Sequence, residues 1–127
     1  MTFDWEDESC LLVELPLHQP AVGVRRVGEA LLRRGVRPVL AHPERTAGLS
    51  RDYGRAHGWR DAGWRFQLNL LSLVGRHGPE AEEVSKAFLG EGLYGFAGSD
   101  LHRPAELSWL RDAHAAFRAL LPREVRA

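Results

Sequence analysis

Cysteine is nearly absent from this sequence, and its scarcity excludes several kinds of site. Cys10 is the only cysteine among 127 residues, so the chain can form no internal disulfide and no metal site built from several thiolates. The sequence also lacks a signal peptide and any apolar run near 18 residues. We therefore expect a cytoplasmic protein that does not insert into a membrane.

Net charge is lacking as well. The 17 Lys and Arg residues balance the 17 Asp and Glu residues. This balance argues against a nucleic acid or an anionic membrane surface as the main partner. With 44% hydrophobic and 27% charged residues, the composition is that of a folded globular protein, and the length allows one ordinary domain or part of a larger one.

The sequence does contain one pattern four times: a short apolar strand, a polar turn and a helix-like segment. The predicted strands are residues 10–15, 39–41, 64–71 and 94–97, and the predicted helices are residues 20–34, 51–57, 79–89 and 104–121. This alternation predicts a parallel sheet, because each crossover helix returns the chain to the same edge. We therefore expect an α/β fold whose parallel βα units form about half of an α/β barrel.

The N-terminal segment falls outside this pattern. Residues 1–9, MTFDWEDES, are acidic, and we expect them to be loosely ordered. The strand at Cys10 would then have an open edge unless this segment folds over it. An open edge invites pairing with another chain, so self-association through this edge is a further expectation.

Ionisable side chains recur where the predicted strands end. Glu14 lies in LLVELP at the first strand, His42 follows the second strand in VLAHPER, and Asp100 and His102 follow the fourth strand in GFAGSDLH. Because the carboxyl ends of parallel strands meet on one rim, these side chains should converge. Nitrogen and oxygen donors without thiolates suit Zn, Mn or Fe, and a carboxylate can bridge two ions. The sequence thus predicts a metal site that can hold more than one ion.

Each of these residues also has a structural interpretation. Glu14 can lie at a solvated strand edge, His42 can be a hydrogen-bonded structural histidine, and Asp100 can cap the helix that follows it. Their joint occurrence at three strand ends favours the metal site. His114 is different, because it lies on the apolar stripe of the last helix, where we interpret it as a half-buried packing residue.

The segments LLVELP, AHPER, FQLNLLSLVGRHG and GSDLH, in this order, resemble the bacterial tyrosine-protein phosphatases of the PHP (polymerase and histidinol phosphatase) type. Those enzymes are manganese-dependent and are associated with capsule and exopolysaccharide assembly. The resemblance runs from Cys10 to about Phe117 and implies a distorted PHP-type barrel with a metal cluster at its carboxyl rim. It also implies a phosphotyrosine protein, such as a bacterial tyrosine kinase, as the substrate and partner.

The resemblance assigns roles to the residues that match its motifs. It implies that Glu14 is a bridging metal ligand and that the other ligands are His42, Asp100 and His102. It implies that Arg45 is a catalytic residue that contacts the phosphate, and a looser match gives Arg103 the same role. We interpret Glu44, in HPER, as a structural salt-bridge partner rather than a ligand.

One feature of the family is missing from this sequence. Family members are longer and carry a metal-binding His-x-His after their first strand, whereas this sequence has no His-x-His. On the resemblance the chain corresponds to the C-terminal half of the enzyme, and we expect it to be truncated and weakly active or inactive. Two alternatives stay open: a non-catalytic remnant that binds or regulates a partner, and another metallohydrolase of the PHP or amidohydrolase kind. HPER together with FQLNLLSL favours the tyrosine phosphatase over the latter.

Overall fold

The computed structural model describes residues 2–5, 7–15, 23–46, 48–50, 52–98 and 107–120. A five-stranded sheet runs through it in the order β1 (Thr2–Trp5), β2 (Glu8–Val13), β3 (Val36–Ala41), β4 (Arg65–Asn69) and β5 (Tyr94–Gly98). Strand β1 pairs antiparallel with β2, and β2 to β5 are all parallel. The predicted α/β fold with four parallel strands is confirmed.

Helices follow the parallel strands along the chain, as the βα pattern predicts. They are α1 (Val24–Arg33), α2 (Tyr53–Asp61), α3 (Pro79–Gly90) and α4 (Leu107–Leu120). Two short 3-10 helices lie at the carboxyl ends of strands: η1 (Pro43–Arg45) after β3 and η2 (Leu70–Val74) after β4. Local sequence fixes two of the helix starts, since the Asp52 side chain accepts a hydrogen bond from the Arg55 amide and proline occupies the first turn of α3.

The described residues form two apolar core clusters. The first is formed by Leu40, Leu49, Ala56, Trp59, Trp64, Phe66, Val84, Phe88 and Leu93. The second is formed by Leu68, Leu70, Leu71, Leu73, Leu89 and Ala113. Gly28 lets α1 approach Trp64, because a Cβ at this position would lie 2.4 Å from Trp64 Nε1. These contacts fix the strands whose carboxyl ends form the site.

The N-terminal segment differs from the prediction. It was expected to be loosely ordered, but residues 2–5 form β1, which pairs with β2 in a register that joins Thr2 to Leu11 and Trp5 to Glu8. The polar and apolar residues of TFDW alternate, as in a strand, and its two aromatic residues favour extended structure. The edge of β2 is therefore covered by β1, so the alternative left open in the sequence analysis, that the N-terminal segment folds over the Cys10 strand, is the one observed.

Two local features also differ from the sequence prediction. The third strand ends at Asn69 rather than at residue 71, because the Asn69 side chain accepts a hydrogen bond from the Leu71 amide and begins η2. His114 is exposed, whereas Ala113, its neighbour on α4, is fully buried. Within the described ranges, no helix is long and apolar enough to cross a membrane.

Candidate active site

The carboxyl ends of the four parallel strands border one cavity of about 150 Å³. Its walls are formed by Leu12, Glu14, His42, Gln67, Leu68, Asn69 and Gly98. In folds built from parallel βα units, this rim is where active sites lie, because the loops after the strands meet there. The cavity therefore marks the part of the molecule where the predicted ligands should be sought.

Two of the predicted ligands meet at this cavity. Glu14 Oε1 lies 3.9 Å from His42 Nε2. The Glu14 side chain is 63% exposed, whereas the His42 side chain is only 10% exposed. The predicted convergence of these two side chains is confirmed, and their role as metal ligands stays a prediction. Nitrogen and carboxylate oxygen donors at this separation are suited to a divalent cation of the Mn or Zn kind.

Three of the predicted site residues are not described. Asp100, His102 and Arg103 lie outside the described residues. Among the residues that are described, no group of three His, Cys, Asp or Glu side chains could hold a metal ion. The structure thus brings Glu14 and His42 together and leaves the remaining ligand positions as predictions.

The backbone of His42 adopts an unusual conformation. Its φ of 38° and ψ of 61° place it in the left-handed region, which few residues other than glycine occupy. The His42 amide donates to the Gln67 carbonyl at 2.9 Å, and the His42 carbonyl accepts from the Arg45 amide at 3.0 Å and from Thr46 Oγ1 at 3.3 Å. Strain of this kind persists where surrounding contacts hold it, and it concentrates at functional sites. These bonds fix the His42 backbone at the end of β3.

Glu44, two residues further on, is 1% exposed and has no cation as a partner among the described residues. Its Oε1 accepts a hydrogen bond from Tyr94 Oη at 2.8 Å. Its Oε2 accepts hydrogen bonds from Ser72 Oγ at 2.8 Å and from the Asn69 amide at 3.3 Å. The predicted salt bridge is wrong, because hydroxyl groups and an amide take the place of a cation. The carboxyl joins η1 to β4, η2 and β5.

Electrostatics at this carboxyl follow from its burial. Burial raises the pKa of Glu44 from 4.5 to about 7, and the hydrogen bonds from Tyr94 and Ser72 oppose this rise. Burial also raises the pKa of Tyr94 well above 10, and the Glu44 carboxyl adds to this rise. Tyr94 therefore keeps its proton near neutral pH and acts as a hydrogen-bond donor to Glu44.

Arg45 lies on η1, one turn from His42, and does not line the cavity. Its side chain is half-buried. The guanidinium makes no hydrogen bond or ion pair with any residue that the structure describes. Arg45 lies three residues after His42, which lines the cavity. The contact of Arg45 with the phosphate stays a prediction.

The carboxyl end of β4 also places polar side chains at the cavity, and these were not identified as site residues from the sequence. Gln67 and Asn69 both line it, since residues two apart on a strand share a face. Asn69 Nδ2 donates to His77 Nε2 at 3.1 Å, and Asn69 Oδ1 accepts from the Leu71 amide at 3.1 Å. The sequence FQLNLLSLVGRHG contains a signal for them, because polar Gln67 and Asn69 alternate with apolar residues along the strand. The turn after this strand brings His77 back to Asn69.

The family model for capsular polysaccharide synthesis proteins, CpsB/CapC, matches residues 2–110. The chain belongs to this family. Its fold is also similar to a chain from a crystallographic study of YwqE from Bacillus subtilis and CpsB from Streptococcus pneumoniae, described there as unique metal-dependent tyrosine phosphatases. The TM-score is 0.76 at 23% sequence identity. No curated protein matches the chain.

The structural match covers nearly all of this chain but only about half of the solved chain. It covers 95% of this chain and 48% of the solved chain, so this chain spans about half the length of the solved one. The predicted resemblance to PHP-type tyrosine phosphatases is confirmed by the family and by the shared fold. The similarity in structure extends to the alternating βα units whose carboxyl ends form the cavity.

Proposed function

We propose that this chain belongs to a metal-dependent phosphatase that hydrolyses phosphotyrosine in proteins and acts in the regulation of capsule or exopolysaccharide synthesis. One observation carries the proposal: Glu14 Oε1 and His42 Nε2 lie 3.9 Å apart at a cavity on the carboxyl rim of the parallel sheet. Membership of the capsular polysaccharide synthesis family supports the biological setting. The solved protein with the same fold, a metal-dependent tyrosine phosphatase, supports the reaction.

The donor set fits a cluster of divalent cations. Glu14 and His42 would hold the metal together with Asp100 and His102, with Mn as the first expectation and Zn or Fe as alternatives. Bound cations of this kind lower the pKa of water and withdraw charge from phosphoryl oxygens. The conformation of His42 matters here, because three hydrogen bonds hold the backbone from which the imidazole projects at the cavity.

The chain would supply the other contacts to the substrate. A guanidinium offers a planar fork of donors that matches two phosphoryl oxygens, and Arg45 has no competing partner among the described residues. We assign the same role to Arg103, on the motif alone. The leaving phenol has a pKa of about 10, so it needs less help from a proton donor than an alkyl alcohol does. The substrate protein that we propose is a bacterial tyrosine kinase in the cytoplasm.

The test is metal-dependent release of phosphate from a phosphotyrosine peptide by the purified chain. We expect slow release that a chelator abolishes and that a matched phosphoserine peptide does not support. Turnover should be well below the typical enzyme value of about 10 per second, because the sequence has no His-x-His. Arg45→Lys should lower kcat/KM by about tenfold, since lysine keeps the charge but loses the fork. Arg34→Lys, at an exposed position after α1, is the matched control.

Two outcomes would count against this proposal. Release that is unchanged by the chelator would contradict metal dependence, and equal rates for Arg45→Lys and the parent would contradict the phosphate contact. The absence of His-x-His favours a second candidate, a module that binds phosphotyrosine without hydrolysing it. Saturable binding of the phosphotyrosine peptide with no phosphate release would identify that function.

A further inference from the structure

The Gln67 side chain is a polar group on the wall of this cavity. It is half-buried and lines the cavity with Glu14 and His42. No described residue makes a hydrogen bond to its carboxamide. Because the side chain is only half-buried and its carboxamide has no hydrogen-bond partner among the described residues, its N–H donors are available to a ligand that enters the cavity.

Asn69 provides the comparison, since it lies two positions along the same strand and carries the same chemical group. Both atoms of its carboxamide are used: Oδ1 accepts from the Leu71 amide and Nδ2 donates to His77. Asn69 is therefore a structural residue that shapes the end of β4. Gln67 presents its carboxamide beside the candidate ligands instead.

The position of Gln67 is tied to that of His42. The Gln67 carbonyl accepts the hydrogen bond from the His42 amide at 2.9 Å, and Gln67 pairs with Ala41 in the sheet. The two side chains therefore project from adjacent backbones onto the same cavity. A ligand that approaches His42 in this cavity comes within reach of the Gln67 carboxamide.

Gly98, on β5, leaves the space that the carboxamide occupies. A Cβ at this position would lie 3.0 Å from Gln67 Nε2, a spacing that forces the side chain to shift. Gly95, on the same strand, differs in this respect, because a Cβ there would lie 3.6 Å from Arg65 Cδ in ordinary contact. The glycine at 98 thus permits the observed position of Gln67.

We propose that Gln67 contacts the substrate, donating a hydrogen bond from its carboxamide nitrogen to a non-bridging phosphoryl oxygen. This role rests on the phosphatase function proposed above. Phosphoryl oxygens accept hydrogen bonds and carry negative charge, and a neutral amide supplies donors without adding a charge that would repel the metal. Gln67 would in this way orient the phosphoryl group, while Arg45 neutralises it.

The experiment follows the side-chain amide signals of the ¹⁵N-labelled chain by NMR. The sequence has only three side-chain carboxamides, at Gln19, Gln67 and Asn69, so the Gln67 signals are identified by their loss in Gln67→Ala. The protein is titrated first with Zn²⁺, which is diamagnetic, and then with inorganic phosphate or phenylphosphonate. We expect the Gln67 signals to shift with both phosphoryl compounds and to change little with Zn²⁺ alone.

Variants measure the contribution of the contact to affinity. Gln67→Ala and Gln67→Glu should each weaken phenylphosphonate binding by about tenfold or more, because both lose the donor and glutamate also repels the anion. Gly98→Ala should weaken binding by a smaller factor, and Gly95→Ala should leave it unchanged. A native-like backbone amide spectrum for each variant separates loss of the contact from loss of the fold.

The outcomes separate this inference from the proposed function. Phosphoryl binding without a shift of the Gln67 signals would overturn the role of Gln67 and leave the function standing. A large shift with Zn²⁺ alone would overturn it as well, by making Gln67 Oε1 a metal ligand. A shift with phenylphosphonate and none with phosphate would place the contact on the ring and contradict the phosphoryl assignment. Absence of any phosphoryl binding would contradict the proposed function and this contact together.

Discussion

The two ends of the parallel sheet differ in the partners that they give to a carboxyl group. At the amino-terminal end, exposed Glu8 meets Arg37, with its Oε2 2.9 Å from Arg37 Nε, and Arg37 Nη1 also donates to the Gly63 carbonyl at 2.7 Å. At the carboxyl end, the buried Glu44 carboxyl accepts three hydrogen bonds from neutral donors. One end pairs its charges with each other, and the other end buries a carboxyl beside a cavity.

This difference favours the carboxyl end of the sheet as the candidate ligand site. The Arg37 guanidinium lowers the pKa of Glu8, as an ion pair at a protein surface does, whereas burial raises the pKa of Glu44. Around Glu44 the chain also holds His42 in a left-handed conformation. Such arrangements cost stability, and they are retained where the surrounding network positions functional groups. The carboxyl end thus has the features of a preorganised site.

The largest expected effect comes from removing the Glu44 carboxyl. Glu44→Ala should lower the free energy of unfolding by about 3 to 5 kcal/mol, because the hydroxyls of Tyr94 and Ser72 and the Asn69 amide each lose a buried acceptor. Urea unfolding of the two chains measures the difference. Tyr94→Phe removes a single donor and should cost about 1 kcal/mol, so it tests the same network if Glu44→Ala does not fold.

Glu8→Ala is the matched variant at the amino-terminal end. It removes an exposed carboxyl with two hydrogen bonds to Arg37, so its effect on stability should be far smaller than that of Glu44→Ala. Because the folded-state pKa of Glu8 lies below its ordinary value of 4.5, this effect should be present above pH 4.5 and should disappear as pH falls through the folded-state pKa. Equal losses for the two variants would show that the ends of the sheet do not differ.

A smaller effect should distinguish two replacements of His42. His42→Gly should be more stable than His42→Ala by about 1 kcal/mol, because glycine adopts a φ of 38° without the steric cost that an L-residue bears. Both variants lose the imidazole, so they should lose metal binding equally. Urea midpoints and metal titrations of the two proteins provide the comparison. An alanine variant as stable as the glycine variant would mean that the His42 backbone relaxes at little cost.

Much of the fold could be predicted from the sequence, because the βα pattern is a local signal. Apolar runs such as CLLV and PVLA are bounded by polar turns, so strand order and direction followed from their alternation with helices. The N-terminal strand could not be predicted with the same ease. Its pairing with β2 is a tertiary contact, and its acidic composition obscured the alternation in TFDW.

The candidate site could be predicted only in part. Glu14 and His42 were found because they interrupt apolar strands at their ends, a signal that is visible in one dimension. The hydrogen-bond partners of Glu44 could not be found in this way, because Tyr94 is 50 residues away along the chain and reaches Glu44 across β4. A salt bridge was predicted for Glu44, but the α/β packing turns this carboxyl inward, where neutral donors surround it.

Metal titration of the purified chain tests the central claim, that the carboxyl rim is a metal site, most directly. Calorimetry with Mn²⁺ or Zn²⁺ should detect binding by the parent and an affinity at least about tenfold lower in both His42→Ala and Glu14→Gln. His57→Ala, an exposed histidine that pairs with Glu91 at 2.7 Å, should bind as the parent does. Metal binding that survives both rim substitutions unchanged, or that is lost with His57, would contradict the account.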